Sequence, residues 1–421
     1  MYKERTNLGL RQRKRRSTGR MVKPRILVLA AMASVGLAAC GSSTTGTAPS
    51  KPDKVQIAAE GPFTGDEASI GAGALRGIRL AVKDFNNSGG VHGTQVNLVP
   101  WDDQHNSQTA TTFQAQGFSD PTILGVVGPM NSSQVLATEP GLQSANPPLP
   151  FVTESASAIK VTEGGYTVAH RVNARDDKQA ALDGQFMIDK GAKKIEILDS
   201  GTDYSRPLAD AVESYLKAHA STVQTKRDVA TNGQTNFTTV VTNMKAFNAD
   251  WVFFADEGSE TAPLVQQMKQ AKLNIGQNIN FLGTDGEDDS SIITKSQGAY
   301  LGAYASNVTA DPQSVSTAAS FVAGYKAEYG ANSISDAGPF YGSAYAATQV
   351  LLQAIANAPV NNGKISRKDV LSHLGSDTFN TILGPIKYDS KGDVTNVTIG
   401  IFQAQGTIAA PTMVAVKSLS G

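Results

Sequence analysis

Residues 55–90 read VQIAAEGPFTGDEASIGAGALRGIRLAVKDFNNSGG, and this stretch decides the fold. Val55-Gln56-Ile57-Ala58 is a short apolar run of strand length. Leu75, Ile78, Val82 and Phe85 then recur at spacings of three, four and three, which puts all four on one face of a helix. Gly89-Gly90 stops that helix, because glycine accepts the left-handed conformation that closes a helix end. A strand, a loop and a one-faced helix in that order open a βαβ unit.

Outward from this unit the alternation repeats. Strands are expected at 96–101, 123–127 and 151–152, with a helix over 107–118. A second series starts with a strand at 195–198 and a helix after Tyr204. It continues with a strand at 251–254, a helix over 261–272 and a strand at 281–282. The two series predict an α/β protein of two doubly wound, Rossmann-like lobes with parallel sheets.

The chain has 421 residues, 40% hydrophobic and 18% charged, which is enough for two sizeable cores. Its 37 basic and 37 acidic residues are unevenly placed: the first 39 residues hold ten Lys/Arg and one Glu, leaving 27 basic and 36 acidic residues, a balance of −9, after them. An acidic body without a basic patch argues against nucleic acid as a partner.

The basic run Arg11, Arg13, Lys14, Arg15, Arg16 and Arg20 leads through Lys23 and Arg25 into the apolar stretch 26–37. That is the layout of a secretory signal. At about 12 residues the stretch is too short to span a ~30 Å hydrocarbon core comfortably. Residues 1–39 are therefore expected to be a signal peptide, with Met21 an alternative start. The stretch ends in Leu37-Ala38-Ala39-Cys40, which resembles the bacterial lipobox, so Cys40 is the expected lipidation site. Gly41-Ser42-Ser43-Thr44-Thr45 then opens a flexible tether over 40–53. Cys40 is the one cysteine in the chain, which excludes an internal disulfide and a cysteine metal cluster.

In doubly wound sheets the ligand-facing loops follow the strands. Here these loops carry Glu60-Gly61-Pro62-Phe63-Thr64-Gly65, Gly128-Pro129-Met130-Asn131-Ser132-Ser133 and Thr153-Glu154-Ser155-Ala156-Ser157 in the first series. In the second they carry Ser200-Gly201-Thr202-Asp203-Tyr204, Asp256-Glu257-Gly258-Ser259 and Gly283-Thr284-Asp285-Gly286. Hydroxyls and backbone N–H groups at helix starts suit a carboxylate, and the acids of the second series suit an ammonium. Taken singly, each loop reads more readily as helix caps and turns.

At these loops the sequence resembles the leucine/isoleucine/valine-binding proteins, which have the type I periplasmic binding fold and feed branched-chain amino-acid ABC importers. The resemblance covers residues 54–405. It rests on Gly61-Pro62-Phe63-Thr64-Gly65, Gly71 with Gly77, residues 86–93, Asp102-Asp103, Gly128-Pro129 with Ser132-Ser133, and residues 384–393, in that order and spacing. It implies two lobes joined by a multi-strand hinge, a first of 54–173 plus 307–387 and a second of 174–306 plus 388–421. It also implies that Ser132 meets a ligand carboxylate, that a backbone group and a hydroxyl at Ser155 and Ser157 complete the zwitterion site, that Asp285 holds an α-ammonium, that Tyr204 closes over the ligand and that Phe340 lines the first lobe. The partners implied are a small amino-acid-like ligand and the permease and ATPase subunits of an importer. The protein is expected to be a monomer outside the cytoplasm, tied to the membrane through Cys40.

Glu257 stands where the branched-chain binders carry a tyrosine. Facing the cleft, it would leave a carboxylate unpaired against an aliphatic ligand, at a cost of ~1–3 kcal/mol, and so favours a ligand with a further polar or cationic group. Ile70 and Met130 point the other way, since they supply an apolar wall. Arg175, just past the first hinge, reads either as a contact for an anionic ligand group or as a surface charge paired with Asp176 or Asp177.

Enzyme readings find no support in the sequence. His92, His105, His170, His219 and His373 are far apart and show no metal-ligand spacing, so neither a metal nor another cofactor is expected. A nucleophile elbow and a phosphate-binding Gly-rich loop are both missing. With no DNA-binding segment before residue 54 and no later transmembrane run in this sequence, a repressor or a single-chain receptor is not expected. A lipoprotein sensor acting through a separate membrane partner stays open, as does a ligand that is an amide, an aromatic acid or another polar metabolite.

Overall fold

The computed structural model describes residues 50–396 and 398–420. The expected signal peptide and Cys40 lie outside the described residues. Strands β1 (Val55–Gly61), β2 (Val96–Asp102), β3 (Ile123–Val127), β4 (Phe151–Thr153) and β5 (Ala169–Arg171) form a parallel sheet in the order β2-β1-β3-β4-β5. Helices α1 (Ala68–Asn87), α2 (Ser107–Ser119), α3 (Ser132–Ser144) and α4 (Lys160–Glu163) connect these strands.

The second series runs α5 (Asp176–Asp189), β6 (Lys194–Asp199), α6 (Ser205–His219), β7 (Gln224–Val229) and α7 (Thr238–Phe247). It goes on through β8 (Trp251–Ala255), α8 (Thr261–Gln270), β9 (Asn280–Gly283), α9 (Ser291–Lys295) and β10 (Tyr304–Asn307). Helices α10 (Ala319–Tyr329), α11 (Tyr341–Asn357) and α12 (Arg367–Ser376) follow, with two small hairpins: β11 (Val360–Asn361) with β12 (Lys364–Ile365), and β13 (Thr378–Thr381) with β14 (Gly384–Lys387). Finally β15 (Thr398–Thr407) and β16 (Ala410–Ser420) add antiparallel edges to a second sheet of order β16-β15-β10-β9-β8-β6-β7.

The central strands β3 and β8 are apolar without interruption because both faces of their sheets are covered. Ile57 and Ala59 of β1 join a core with Ile78 and Val82 of α1 and Leu351 of α11, whereas Ala58 between them faces Val135 and Leu142 of α3. The second sheet repeats this, Val252 and Phe254 packing towards Val241 and Leu264, and Trp251 and Phe253 towards Phe186 and Leu208. Each such side chain contributes ~1.5–3 kcal/mol on full burial. A Cβ at Gly77 would lie 2.2 Å from the Tyr341 carbonyl oxygen, so glycine is what lets α1 and α11 approach.

The type I, doubly wound α/β architecture expected from the sequence is the one observed. The chain passes between the sheets three times, and these passages are tied together: Ala174 N–H donates to Val308 O at 2.9 Å and Arg171 N–H to Gly392 O at 3.1 Å. The last passage differs from expectation. Tyr388 packs in the core of the first sheet and Asp393 pairs with Arg171 at 2.8 Å, so the crossing follows these residues and does not begin at 388. No helix among the described residues is long and apolar enough to cross a membrane.

Candidate functional site

The C-terminal ends of both sheets deliver their loops to one cavity. From the first sheet come Asn131, which precedes α3, and Ser132, which opens it. The Ser132 Oγ accepts the Ala158 N–H at 3.2 Å, which leaves its own hydrogen to donate into the cavity. Ser155 differs: its hydroxyl donates to Met130 O at 2.6 Å and so braces the loop. Ser157 lines the cavity as well, while Ile70, Met130 and Phe340 give it an apolar wall.

The second sheet supplies Tyr204, Asp256, Glu257, Asp285 and Gly286. The Tyr204 hydroxyl donates to Asp285 Oδ1, and Gln179 Nε2 donates to the same atom at 3.2 Å. Burial raises the Asp285 carboxyl to about 6, against the lowering effect of these two donors. The loops after β8 and β9 touch through glycines. Gly258, at φ +99°, has no room for a Cβ beside Gly286, and a Cβ at Gly286 would lie 2.6 Å from the Glu257 carbonyl carbon. This contact sets Glu257 next to Asp285.

Glu257 is held from the first sheet. Its Oε1 lies 3.4 Å from Asn131 Nδ2 and 3.6 Å from His105 Nε2. His105 Nδ1 is 2.9 Å from Glu67 Oε1, and Asn131 Nδ2 donates to Glu67 Oε2 at 2.8 Å. Burial works against a charge on His105, but the contacts with Glu257 and Glu67 prevail and raise it to about 11, so the ring is an imidazolium. Burial and the Glu257 charge push Glu67 up to about 7. The cavity's free volume is about 20 Å³, room for about one water. An amino-acid-sized ligand can enter only when the loops of the two sheets part.

The family model described as periplasmic binding protein matches residues 54–407. The chain belongs to the periplasmic binding protein family. A Pseudomonas aeruginosa leucine-, isoleucine-, valine-, threonine-, and alanine-binding protein is 26% identical over 378 residues, covering 89% of this chain and 94% of that relative. A solved leucine-binding protein from Thermotoga maritima is similar in fold, with a TM-score of 0.75 at 24% identity over 87% of this chain and 98% of that one. An R. palustris solute-binding protein solved with 4-hydroxybenzoate has a TM-score of 0.76 at 16% identity, covering 87% and 97%. The resemblance to the leucine/isoleucine/valine-binding proteins read from the sequence thus holds. This periplasmic binding protein is a solute-binding protein that works outside the bacterial cytoplasm.

Of the residues singled out in the sequence, Ser132, Ser155, Ser157, Tyr204, Asp285, Glu257, Phe340, Met130 and Ile70 all line this same cavity of the binding protein. Arg175 does not line it. Its guanidinium pairs with Asp177 at 3.2 Å, Glu163 at 3.1 Å and Asp393 at 3.2 Å, which is the surface-pairing reading with two further acids. Three residues were missed: Glu67, His105 and Asn131. Glu67, His105 and Glu257 offer ligand atoms within 4.8 Å of one another, so wide histidine spacing did not exclude a metal-ligating group. The two carboxylates contact different nitrogens of the ring, and the imidazolium itself supplies the positive charge between them. The signal was available: His105 and Asn131 follow β2 and β3, the strand-end positions the fold reserves for ligand-facing loops.

Proposed function

We propose that this periplasmic binding protein is a lipid-anchored monomer that captures an α-amino acid between two closing lobes and hands it to the permease and ATPase of an ABC importer, without catalysing a reaction. One observation carries the reading: an acid already braced by two donors, Asp285 with Tyr204 and Gln179, shares a cavity with the free hydroxyl hydrogen of Ser132 at the start of α3. An ammonium fits the first and a carboxylate the second. Ser155 contributes by fixing the loop and Ser157 by its place on the wall.

The lobes in this reading are residues 54–173 with 307–394, and 174–306 with 398–420. They turn on the three connecting passages as a hinge. The small free volume supports a closing mechanism, since the walls must separate to admit a ligand. Cys40 tethers the chain through residues 40–53 after the signal peptide of residues 1–39 is removed. Wild-type protein is then expected with membranes, and Cys40→Ser in the soluble fraction.

The test is isothermal titration of the full-length chain in detergent with aliphatic, basic, acidic and amide amino acids, and with urea, short amides and aromatic acids. Micromolar or tighter binding of an α-amino acid is the expected result. Silence from every amino acid with heat from another class would overturn the ligand assignment.

A further inference from the structure

The far end of the cavity carries more negative charge than it can balance, and this deepens the amino-acid reading on which it rests. Two carboxylates, Glu67 and Glu257, share one imidazolium, His105. Glu67 takes the short contact at 2.9 Å, and Glu257 is left with one of 3.6 Å. Both contacts made by Glu257 fall on Oε1, while its Oε2 is buried and has no hydrogen-bond partner among the described residues. Asn131 adds to this. Its Nδ2 serves both carboxylates, which turns Oδ1 away from them, and Oδ1 is likewise buried without a partner. Glu257 is 6% exposed and Asn131 7%, and both line the cavity.

Two buried acceptors on one wall, one of them charged, are costly unless a donor meets them. We propose that the ligand is a basic amino acid, whose side-chain ammonium or guanidinium pairs with Glu257 Oε2 and Asn131 Oδ1. The apolar wall of Ile70, Met130 and Phe340 suits the methylene stem of such a side chain, because long basic side chains lay their carbons on apolar surface and keep the charge at a polar tip. The conflict between an apolar wall and a buried acid disappears, since one ligand uses both.

The test compares L-lysine, L-ornithine and L-arginine with L-leucine, L-isoleucine and L-valine by isothermal titration of the full-length chain and of Glu257→Gln. The basic set is expected to bind the wild type at least tenfold more tightly than the aliphatic set. Glu257→Gln is expected to lose at least tenfold for the basic set while the aliphatic set stays the same or tightens. The wild-type preference decides the matter even if the variant folds poorly. Leucine binding as tightly as lysine would overturn this inference and leave the amino-acid reading standing. Equal weakening of both sets by Glu257→Gln would also overturn it, because Glu257 would then be holding the shared α-ammonium. Silence from all six would overturn this inference, and the amino-acid reading would fall only if the acidic and amide amino acids were silent as well.

Discussion

Asp285 and Glu257 face the same cavity from neighbouring loops of the second sheet, yet they are held in opposite ways. The partners of Asp285, Tyr204 and Gln179, belong to elements packed on its own sheet, so this acid is in place before the two sheets meet. The partners of Glu257 are His105 and Asn131, which follow strands of the first sheet, so its surroundings are complete only when the sheets are together. The comparison teaches a division of labour. In the proposed reading, a prebuilt acid captures a group that every α-amino acid has, and an acid assembled on closure reads what is particular to one of them. Preorganisation favours affinity at the first end, and coupling to closure favours selectivity at the second.

The comparison is broken most severely at its prebuilt end. Asp285→Ala is expected to weaken every α-amino acid by ~2–5 kcal/mol, because a buried ammonium loses its counter-charge. Titration calorimetry measures this, and an unchanged affinity would mean that the α-ammonium lies elsewhere.

His105→Gln attacks the assembled end by removing the cation between two buried carboxylates. The closed state should lose ~1–3 kcal/mol, read as faster ligand release in stopped flow. The same release rate in both proteins would take this contact out of closure.

Acidity sharpens the contrast. Asp285 must be ionised to hold an ammonium, and burial has raised its carboxyl from 3.8 to about 6. Affinity for amino acids is therefore nearly complete at about pH 7, halved near pH 6 and lost as pH falls further. At pH 5 about a tenth of the carboxyl is charged, which weakens binding about tenfold. Asp285→Asn should remove that dependence. Glu67 and Asp176, each raised to about 7 chiefly by burial, titrate in the same window, so a slope that persists in Asp285→Asn comes from such groups. A wild-type affinity independent of pH between 7.5 and 5 would contradict the role of Asp285.

The smallest effect is expected outside the cavity. Arg175→Ala should change affinity by less than ~0.5 kcal/mol, since its charge is spent on Glu163, Asp177 and Asp393. A tenfold loss in titration would return Arg175 to the binding mechanism.

Much of this was legible in the sequence because parallel sheets enforce it. Buried strands must be apolar, and the loops that follow them must converge, so the loops that carry Ser132, Tyr204, Glu257 and Asp285 were found by position, while the choice of these residues within the loops came from the family resemblance. One strand that escaped notice is β7, which lacks that signature. In β7 the run Gln224-Thr225-Lys226-Arg227-Asp228-Val229 is polar because it is a half-exposed edge. His105 escaped because its meaning comes from Glu67 and Glu257, 38 residues before it and 152 after it. The pairing of a solitary histidine across two sheets has no local pattern. The two readings of Arg175 could be separated only by the distance to Asp393, which reaches it from the last passage between the sheets.

Lysine and 6-aminohexanoate share a carboxylate and a terminal ammonium and differ in the α-amino group. Titration of both into the wild type and into Asp285→Ala isolates the group that Asp285 is held to capture. The account predicts that the wild type prefers lysine by at least tenfold and that Asp285→Ala erases the preference. Equal affinity of the wild type for the two compounds, or a preference that survives in Asp285→Ala, would contradict it.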